Sequence, residues 1–527
     1  MKYFNTTGIC LPEKNFMVDT TKKIDQILKM VYRGQYFIIN RPRQYGKTTT
    51  LALLKRRLIP TSEYLPIFIS FEASDCDVFK TVENFCKHFL RLLINDQTIK
   101  NNGFDKLISE QLDTVTSFLS LSDAITSILN TINKRIVLLV DEVDKSSNNE
   151  IFLHFIGMLR NKFLSAQKGG DTTFHSVILA GVHDIKNLKL KIRPDSESAN
   201  KGGQYNSPWN IAVPFKTIMS FSPDEIKGML DEYVSETGNQ MDTLAISERI
   251  FFWTNGYPFL VSKLCLMMDE EVLPERDNQN WSIQDIENVV GLLLRETNTL
   301  FDDISKNLEM YKDLHNFIKS VVLGFNEFNF ELDNPIISRA HMFGFITNTD
   351  NQKIKIHNRI FEEKITNYFL SKHQIDSLTN GKNITQPYIS LEGGLDFRTV
   401  LDKFQEAVKE KYSKNDVLKS DEFLENDLRL LFMIYLKPII NGHGFCFKEV
   451  QTGEEKRLDL VVVYKNEKFV IELKLWRGTI AHKKGLEQLK EYMYKENVEK
   501  GYMLIMNKNK TKTFKKWDDK GIYCVMI

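Results

Sequence analysis

Four short apolar runs in the first half of the chain do most to limit what it can fold into. They are Tyr36–Asn40, Leu65–Phe71, Arg135–Val140 and Ser176–Ala180, each rich in β-branched or aromatic residues. Runs with no polar face to offer water read as strands covered on both sides. Segments of helical period separate them, for example Thr48–Leu58 and Val78–Asn95. Strands alternating with helices predict a parallel sheet joined by right-handed crossovers.

The chain has 527 residues, room for three or four domains at roughly 100–200 residues each. Hydrophobic residues at 42% and charged residues at 26% exclude disordered, collagen-like and disulfide-framework classes. Lys and Arg number 70 against 69 Asp and Glu, so any nucleic-acid surface must be local. The six Cys, at 10, 76, 86, 265, 446 and 524, show no Cys-x-x-Cys spacing. That fits reduced thiols in a cytoplasmic protein better than a zinc site or a disulfide frame. No run approaches 18 apolar residues, and the first sixteen residues lack a signal-peptide core.

After the strand ending at Asn40 comes Arg41-Pro-Arg-Gln-Tyr-Gly-Lys-Thr-Thr49, and then a helix. A turn whose backbone N–H groups wrap phosphate oxygens at a helix N-terminus has this form. Gly46 permits close approach, Lys47 reaches the β- and γ-phosphates, and Thr48 ligates Mg²⁺. Arg43, Gln44, Tyr45 and Thr49 complete the expected nucleotide contacts. The general motif has glycine where this chain has Arg41. The run Arg135-Ile-Val-Leu-Leu-Val-Asp-Glu142 supplies the second half of such a site. Asp141 would hold Mg²⁺ through water, and Glu142 would polarise an attacking water. An exposed acidic strand end is the competing reading of those two carboxylates.

The segment resembles the AAA-ATPase-like domain of many bacterial and archaeal proteins. The resemblance rests, in order, on Phe16-Met-Val-Asp19, Arg41-Pro-Arg-Gln-Tyr-Gly-Lys-Thr48, Val140-Asp-Glu-Val-Asp-Lys145 and Leu179-Ala-Gly-Val182. Arg-Pro-Arg at the loop start is usual in that family. The resemblance implies ATP and Mg²⁺ as cofactors and a γ-phosphate sensor at His183 or Asp184. Thr254-Asn-Gly-Tyr-Pro-Phe-Leu260 resembles the helix start of a lid in related ATPases. A plain helix boundary with Pro in the first turn reads those residues equally well. Arg160 is either an arginine finger or part of a solvated helix face.

Near the C-terminus, Lys456-Arg-Leu-Asp-Leu-Val-Val-Val-Tyr464 and Phe469-Val-Ile-Glu-Leu-Lys-Leu475 flank a short polar turn. With the turn centred between Asn466 and Glu467, Asp459 falls opposite Lys474, and Glu472 shares their face. Two carboxylates and an ammonium on one side of a sheet suit metal-dependent phosphodiester hydrolysis, with Mg²⁺ or Mn²⁺ held by Asp459 and Glu472. A surface hairpin of mixed charge is the competing reading. The arrangement resembles the PD-(D/E)XK nuclease superfamily, here Leu458-Asp459 followed by Glu472-Leu473-Lys474. That resemblance implies a further acid on the preceding helix, Glu425 with Arg429 one turn on, or else Glu422. It also implies a Gln-x-x-x-Tyr helix, here Gln488 and Tyr492. Lys483, Lys484, Lys490, Lys508, Lys510, Lys512, Lys515, Lys516 and Lys520 cluster after the hairpin, with Trp476, Tyr492 and Trp517 among them. Such a mixture suits a phosphate backbone with stacked bases; a solvated face suits it equally.

The expected architecture is a multidomain α/β chain. It comprises an AAA-like P-loop NTPase core with a parallel sheet (1–221), a helical lid (222–310) and a winged-helix module (311–380). A linker (381–394) then leads to a restriction-endonuclease-like mixed α/β domain (395–527). The expected function is an ATP-binding and ATP-hydrolysing protein whose nucleotide state gates a metal-dependent nuclease. DNA is the favoured substrate over RNA, no membrane is involved, and homo-oligomerisation is left open. The alternative is a nucleotide-operated switch that binds nucleic acid or a protein without cutting, in anti-viral defence or a mobile element.

Overall fold

A computed structural model describes residues 2–72, 74–143, 150–182, 209–275, 280–322, 328–377, 388, 394–412, 425–440, 444–447, 460–465, 467–476, 478–495, 498–507 and 514–527. The chain divides into two compact units. The first comprises Met1–Phe251, Gly256–Trp281 and Met342–Gly344; the second comprises Phe252–Asn255, Ser282–His341 and Phe345–Ile527.

In the first unit a small parallel pair, β1 (Tyr3–Phe4) and β2 (Asn15–Phe16), precedes the helix Thr21–Tyr32. The four apolar runs form β3 (Phe37–Asn40), β4 (Tyr64–Ser70), β5 (Arg135–Asp141) and β6 (Ser176–Gly181). They pair in parallel in the order β3-β6-β5-β4. Both faces are covered, and Val137, Leu138, Leu139 and Val140 have no exposed surface. The segment expected as one helix over Val78–Asn95 is two elements, a short 3₁₀ turn Cys76–Phe79 and a helix Val82–Asn95. Each has its own cap: Asp75 accepts from the amides of Asp77 and Val78, and Thr81 accepts from that of Asn84.

This unit continues past residue 221. Ser222 and Glu225 form a reciprocal capping box on the helix Pro223–Thr237. Tyr233 of that helix packs with Phe4, Phe16 and Trp281 at ring separations of 5.2 Å. Burying these rings ties the helix to the N-terminal strands.

From Ser282 onward the second unit carries the helices Ile283–Arg295, Thr299–Met310, Lys312–Val322 and Pro335–Met342, the last extending one residue into the first unit. An antiparallel pair follows, β7 (Ile346–Asn348) with β8 (Ile354–Ile356), and then the helix Arg359–Ser377. Further on, β9 (Gly444–Phe447), β10 (Leu460–Tyr464), β11 (Glu467–Leu475), β12 (Gly501–Met506), β13 (Lys515–Asp519) and β14 (Ile522–Met526) form one mixed sheet. Its order is β13-β14-β12-β11-β10-β9. One face buries Leu460, Val462, Phe469, Ile471, Leu473, Leu504 and Val525 under the helices Phe397–Tyr412 and Glu425–Ile440. The helix Thr479–Lys495 covers the other, where Leu489 and Met493 lie against Gly501. Lys437 of the Glu425–Ile440 helix forms a buried ion pair with Glu363, which joins this sheet layer to the helix Arg359–Ser377.

Tyr464 pairs with Glu467, so the register differs by two residues from the expected one. Lys465 adopts φ 50°, a left-handed conformation that permits this tight turn. A two-residue slip leaves every side chain on its expected face.

Candidate functional site

The loop after β3 turns into the helix Lys47–Leu58 through Gly46, at φ 78°. Positive φ falls on Gln44 and Gly46 and not on Arg41, so no steric need for glycine exists at the loop's first position. Arg41 instead braces the sheet edge. Its guanidinium donates to the carbonyls of Asn40 and Thr217, each at 2.9 Å, and lies 5.0 Å over the Phe215 ring. The segment it grips runs beside β3, where Phe37 bridges Val213. Burial pushes the Arg41 pKa down, though a guanidinium stays charged.

The first turn of the helix presents backbone amides that carry its positive partial charge. Lys47 is buried at 7% exposure, and its ammonium donates to the carbonyls of Arg41 at 3.1 Å and Pro42 at 2.9 Å. Thr48 donates to Asp141 Oδ2 at 2.7 Å across the sheet. The hydroxyl and carboxylate that a bound Mg²⁺ would need thus already converge. Asp141 Oδ1 accepts from the Glu142 amide at 3.0 Å. Glu142 has φ 53° and is partly exposed. Thr49 accepts from the Cys10 amide at 3.2 Å, and Tyr45 is buried edge-on against Tyr257 at 4.8 Å. Those two side chains support the loop. Arg43 is exposed and Gln44 half-buried.

Tyr257 is a residue that sequence reasoning did not assign to the loop. Its hydroxyl donates to the Arg43 carbonyl. Asn255 and Gly256 are both left-handed, and Pro258 occupies the first turn of the helix Pro258–Met267. Arg160 bonds Asn210 at 2.6 Å. His183, Asp184, Asp144 and Lys145 lie outside the described residues.

Burial raises the Asp141 pKa above the ordinary aspartate value, against hydrogen bonds from Thr48 and the Glu142 amide that lower it. Metal coordination needs the carboxylate form. The tightening of nucleotide binding by Mg²⁺ should therefore fade as pH falls toward the raised value, before a surface aspartate would protonate. Calorimetric titrations at neutral and acidic pH, with and without Mg²⁺, check this; an unchanged Mg²⁺ effect would refute it.

In the second unit, Glu472 lies on β11 inside the mixed sheet and is fully buried. Lys474 Nζ sits 2.7 Å from Glu472 Oε1, with its side chain 32% exposed. Both share the face covered by the helix Thr479–Lys495, where Gly485 approaches the Lys474 Cε. A buried carboxylate is costly unless paired, and here an ammonium two residues on provides the pairing. Gln488 is half-buried and Tyr492 is 2% exposed, too enclosed to stack a base. Arg429 is buried. Asp459 and Glu422 lie outside the described residues, as does the side chain of Glu425. Among the described residues no group of three or more His, Cys, Asp or Glu could hold a metal ion, and no helix is long and apolar enough to cross a membrane.

The parallel sheet, the glycine-turned loop and the Thr48–Asp141 contact define a P-loop nucleotide-binding core of the ATPase class. The chain belongs to the AAA-like domain family, which it matches over residues 11–369. Residues 396–510 match a domain of unknown function, DUF8371. No curated protein matches. Similar solved structures include a Walker-type ATPase of Pyrococcus abyssi, 12% identical over 69% of this chain and 99% of that one, with a TM-score of 0.48. The ORC2 protein of Aeropyrum pernix is 10% identical over 70% and 98%, with a TM-score of 0.40. Cdc6p of Pyrobaculum aerophilum is 12% identical over 70% and 97%, with a TM-score of 0.33. Similarity at this level carries no functional inference.

Proposed function

We propose that the chain binds and hydrolyses ATP with Mg²⁺ in its first unit, and that nucleotide state gates a metal-dependent DNA nuclease in its C-terminal region. The observation that carries the nuclease half is the fully buried Glu472 carboxylate, 2.7 Å from the Lys474 ammonium on a strand inside a mixed sheet. Cores rarely keep such a pair for stability, because apolar residues of similar volume do as well or better. Chemistry gives a reason to keep it. Glu472 with Asp459 would supply hard oxygen ligands to Mg²⁺ or Mn²⁺, and Lys474 would stabilise charge developing on the phosphate. Glu425, Gln488 and Tyr492 are the supporting residues of this reading.

In the first unit Lys47 and the loop amides would hold the phosphates, Thr48 and Asp141 the metal, and Glu142 the attacking water. Residues 222–310 serve as the lid and 311–380 as the winged helix in this scheme. The helices and the β7–β8 hairpin support that assignment.

The test is cutting of linear and circular DNA with Mg²⁺ or Mn²⁺, with and without ATP. Asp459→Ala is expected to lower the rate by at least a hundredfold, the scale of losing one electrostatic catalytic group. Lys47→Ala is expected to remove the ATP effect at nucleotide concentrations that just saturate the wild type. Equal cutting by wild type and Asp459→Ala would refute the site. No cutting of any substrate would favour a switch that binds without cleaving.

A further inference from the structure

Three aromatic rings, tilted by 46° and 61° from one to the next, follow in series beyond the Glu472–Lys474 pair. Trp476 follows β11 and keeps its ladder bond, its amide donating to the Met506 carbonyl at 2.8 Å. His482, in the first turn of the helix Thr479–Lys495, lies 5.6 Å from the Trp476 ring and 5.7 Å from the Trp517 ring. Trp517, on the outer strand β13, pairs with Cys524. All three rings are half-buried, unlike the enclosed rings of Tyr464 and Tyr492. Glu472 is buried, while Lys474 and Trp476, on the same face further along, are both half-buried. At ~3.3 Å per residue Trp476 stands roughly 13 Å from the carboxylate.

Positive charge borders the row. Lys483 and Lys484 follow His482 and are exposed, and exposed Lys515 shares the Trp517 face two residues away. Asp519 lies close enough to His482 to favour its charged form, but burial dominates and keeps the imidazole pKa below its usual value. The ring is therefore a neutral aromatic surface at neutral pH.

We infer that Trp476, His482 and Trp517 form a stacking platform for unpaired nucleobases, with the flanking lysines on the adjoining phosphates. The inference rests on the nuclease reading above and deepens it, since it names the substrate form as a single strand or a frayed end. Bases in a duplex already stack on one another, whereas an unpaired base gains a partner on an aromatic ring. The lysines suit a polyanion and disfavour an apolar or cationic occupant.

Intrinsic fluorescence gives a selective readout. Of the five tryptophans, Trp209, Trp253 and Trp281 are buried at 0%, 0% and 4% exposure, so Trp476 and Trp517 are the two that a bound base can reach. The full chain, without divalent metal, would be titrated with single-stranded DNA, single-stranded RNA and blunt duplex DNA, following anisotropy and tryptophan quenching. Trp476→Ala and Trp517→Ala are each expected to weaken single-strand binding roughly tenfold. Duplex affinity should change less than about twofold, because phosphate contacts persist. Trp517→Phe should retain most of the affinity, which separates stacking from misfolding. Preference for one sugar would identify the natural strand, and either preference supports the platform. Single-strand affinity unchanged in both alanine variants, or lost equally for duplex and single strand, would overturn the platform while leaving wild-type cutting intact. Wild type binding none of the three would overturn the nucleic-acid reading together with the platform.

Discussion

Replacing Lys47 with alanine is expected to weaken nucleotide binding by ~2–3 kcal/mol, or roughly 30- to 150-fold in Kd. The ammonium is buried and held by two loop carbonyls, those of Arg41 and Pro42. A phosphate oxygen arriving at the loop would offer a charged acceptor in place of neutral ones, and charge-assisted hydrogen bonds are roughly twice as strong. The amides of the first helical turn and the Thr48 hydroxyl remain in the variant, so binding falls without vanishing at high nucleotide concentration. Stability should fall as well, by about 1–3 kcal/mol at most, because the Lys47–Pro42 bond is buried and the variant removes the donor from that carbonyl. A titration with a fluorescent ATP analogue, beside a thermal melt, separates the two effects. Unchanged affinity with an unchanged melt would overturn the phosphate-loop assignment.

The phosphate loop was legible because its requirements are local. Gly46, Lys47 and Thr48 are adjacent in sequence, and the strand before them and helix after them carry distinct periodicities. Arg41 was not legible in the same way. Its role depends on Phe215 and Thr217, which only the fold brings to the edge of β3. Tyr257 is a similar case: Asn-Gly-Tyr-Pro announces a turn and a helix start, but nothing local reveals that the tyrosine hydroxyl will reach Arg43. At the C-terminal hairpin, period-two alternation placed Glu472 and Lys474 on one face although the turn was misplaced. A left-handed Lys465 is not a residue preference that a reader would expect, and it moved the turn by one position. The division at residue 221 shows the same limit. The burial of Tyr233 against Phe4, Phe16 and Trp281 decides which unit the helix Pro223–Thr237 joins, and no local pattern announces it.

Gly256→Ala is expected to destabilise the protein by about 3 kcal/mol or more, among the larger effects of a single substitution. A Cβ there would stand 1.9 Å from the Phe221 carbonyl oxygen and 2.8 Å from the Phe221 nitrogen. Both are backbone atoms, so no rotamer change makes room. The Phe221 amide donates to the Gly256 carbonyl at 2.9 Å, and moving the chains apart would break that bond. The residue also sits at φ +69°, which alone costs alanine ~1 kcal/mol. Gly238→Ala isolates that smaller contribution, since it has φ +78° with nothing within 4 Å of its Cβ position. At roughly 2–4 °C per kcal/mol for a unit of this size, the Gly256 variant should melt several degrees below the Gly238 variant. The displacement should also reach the nucleotide, because Gly256 precedes the tyrosine whose hydroxyl holds Arg43. Weaker ATP binding is therefore expected for Gly256→Ala at temperatures where it is still folded, and not for Gly238→Ala. Equal melting temperatures would refute the steric account; a lower melt with normal ATP affinity would confine the damage to stability and leave Tyr257 without a role in shaping the loop.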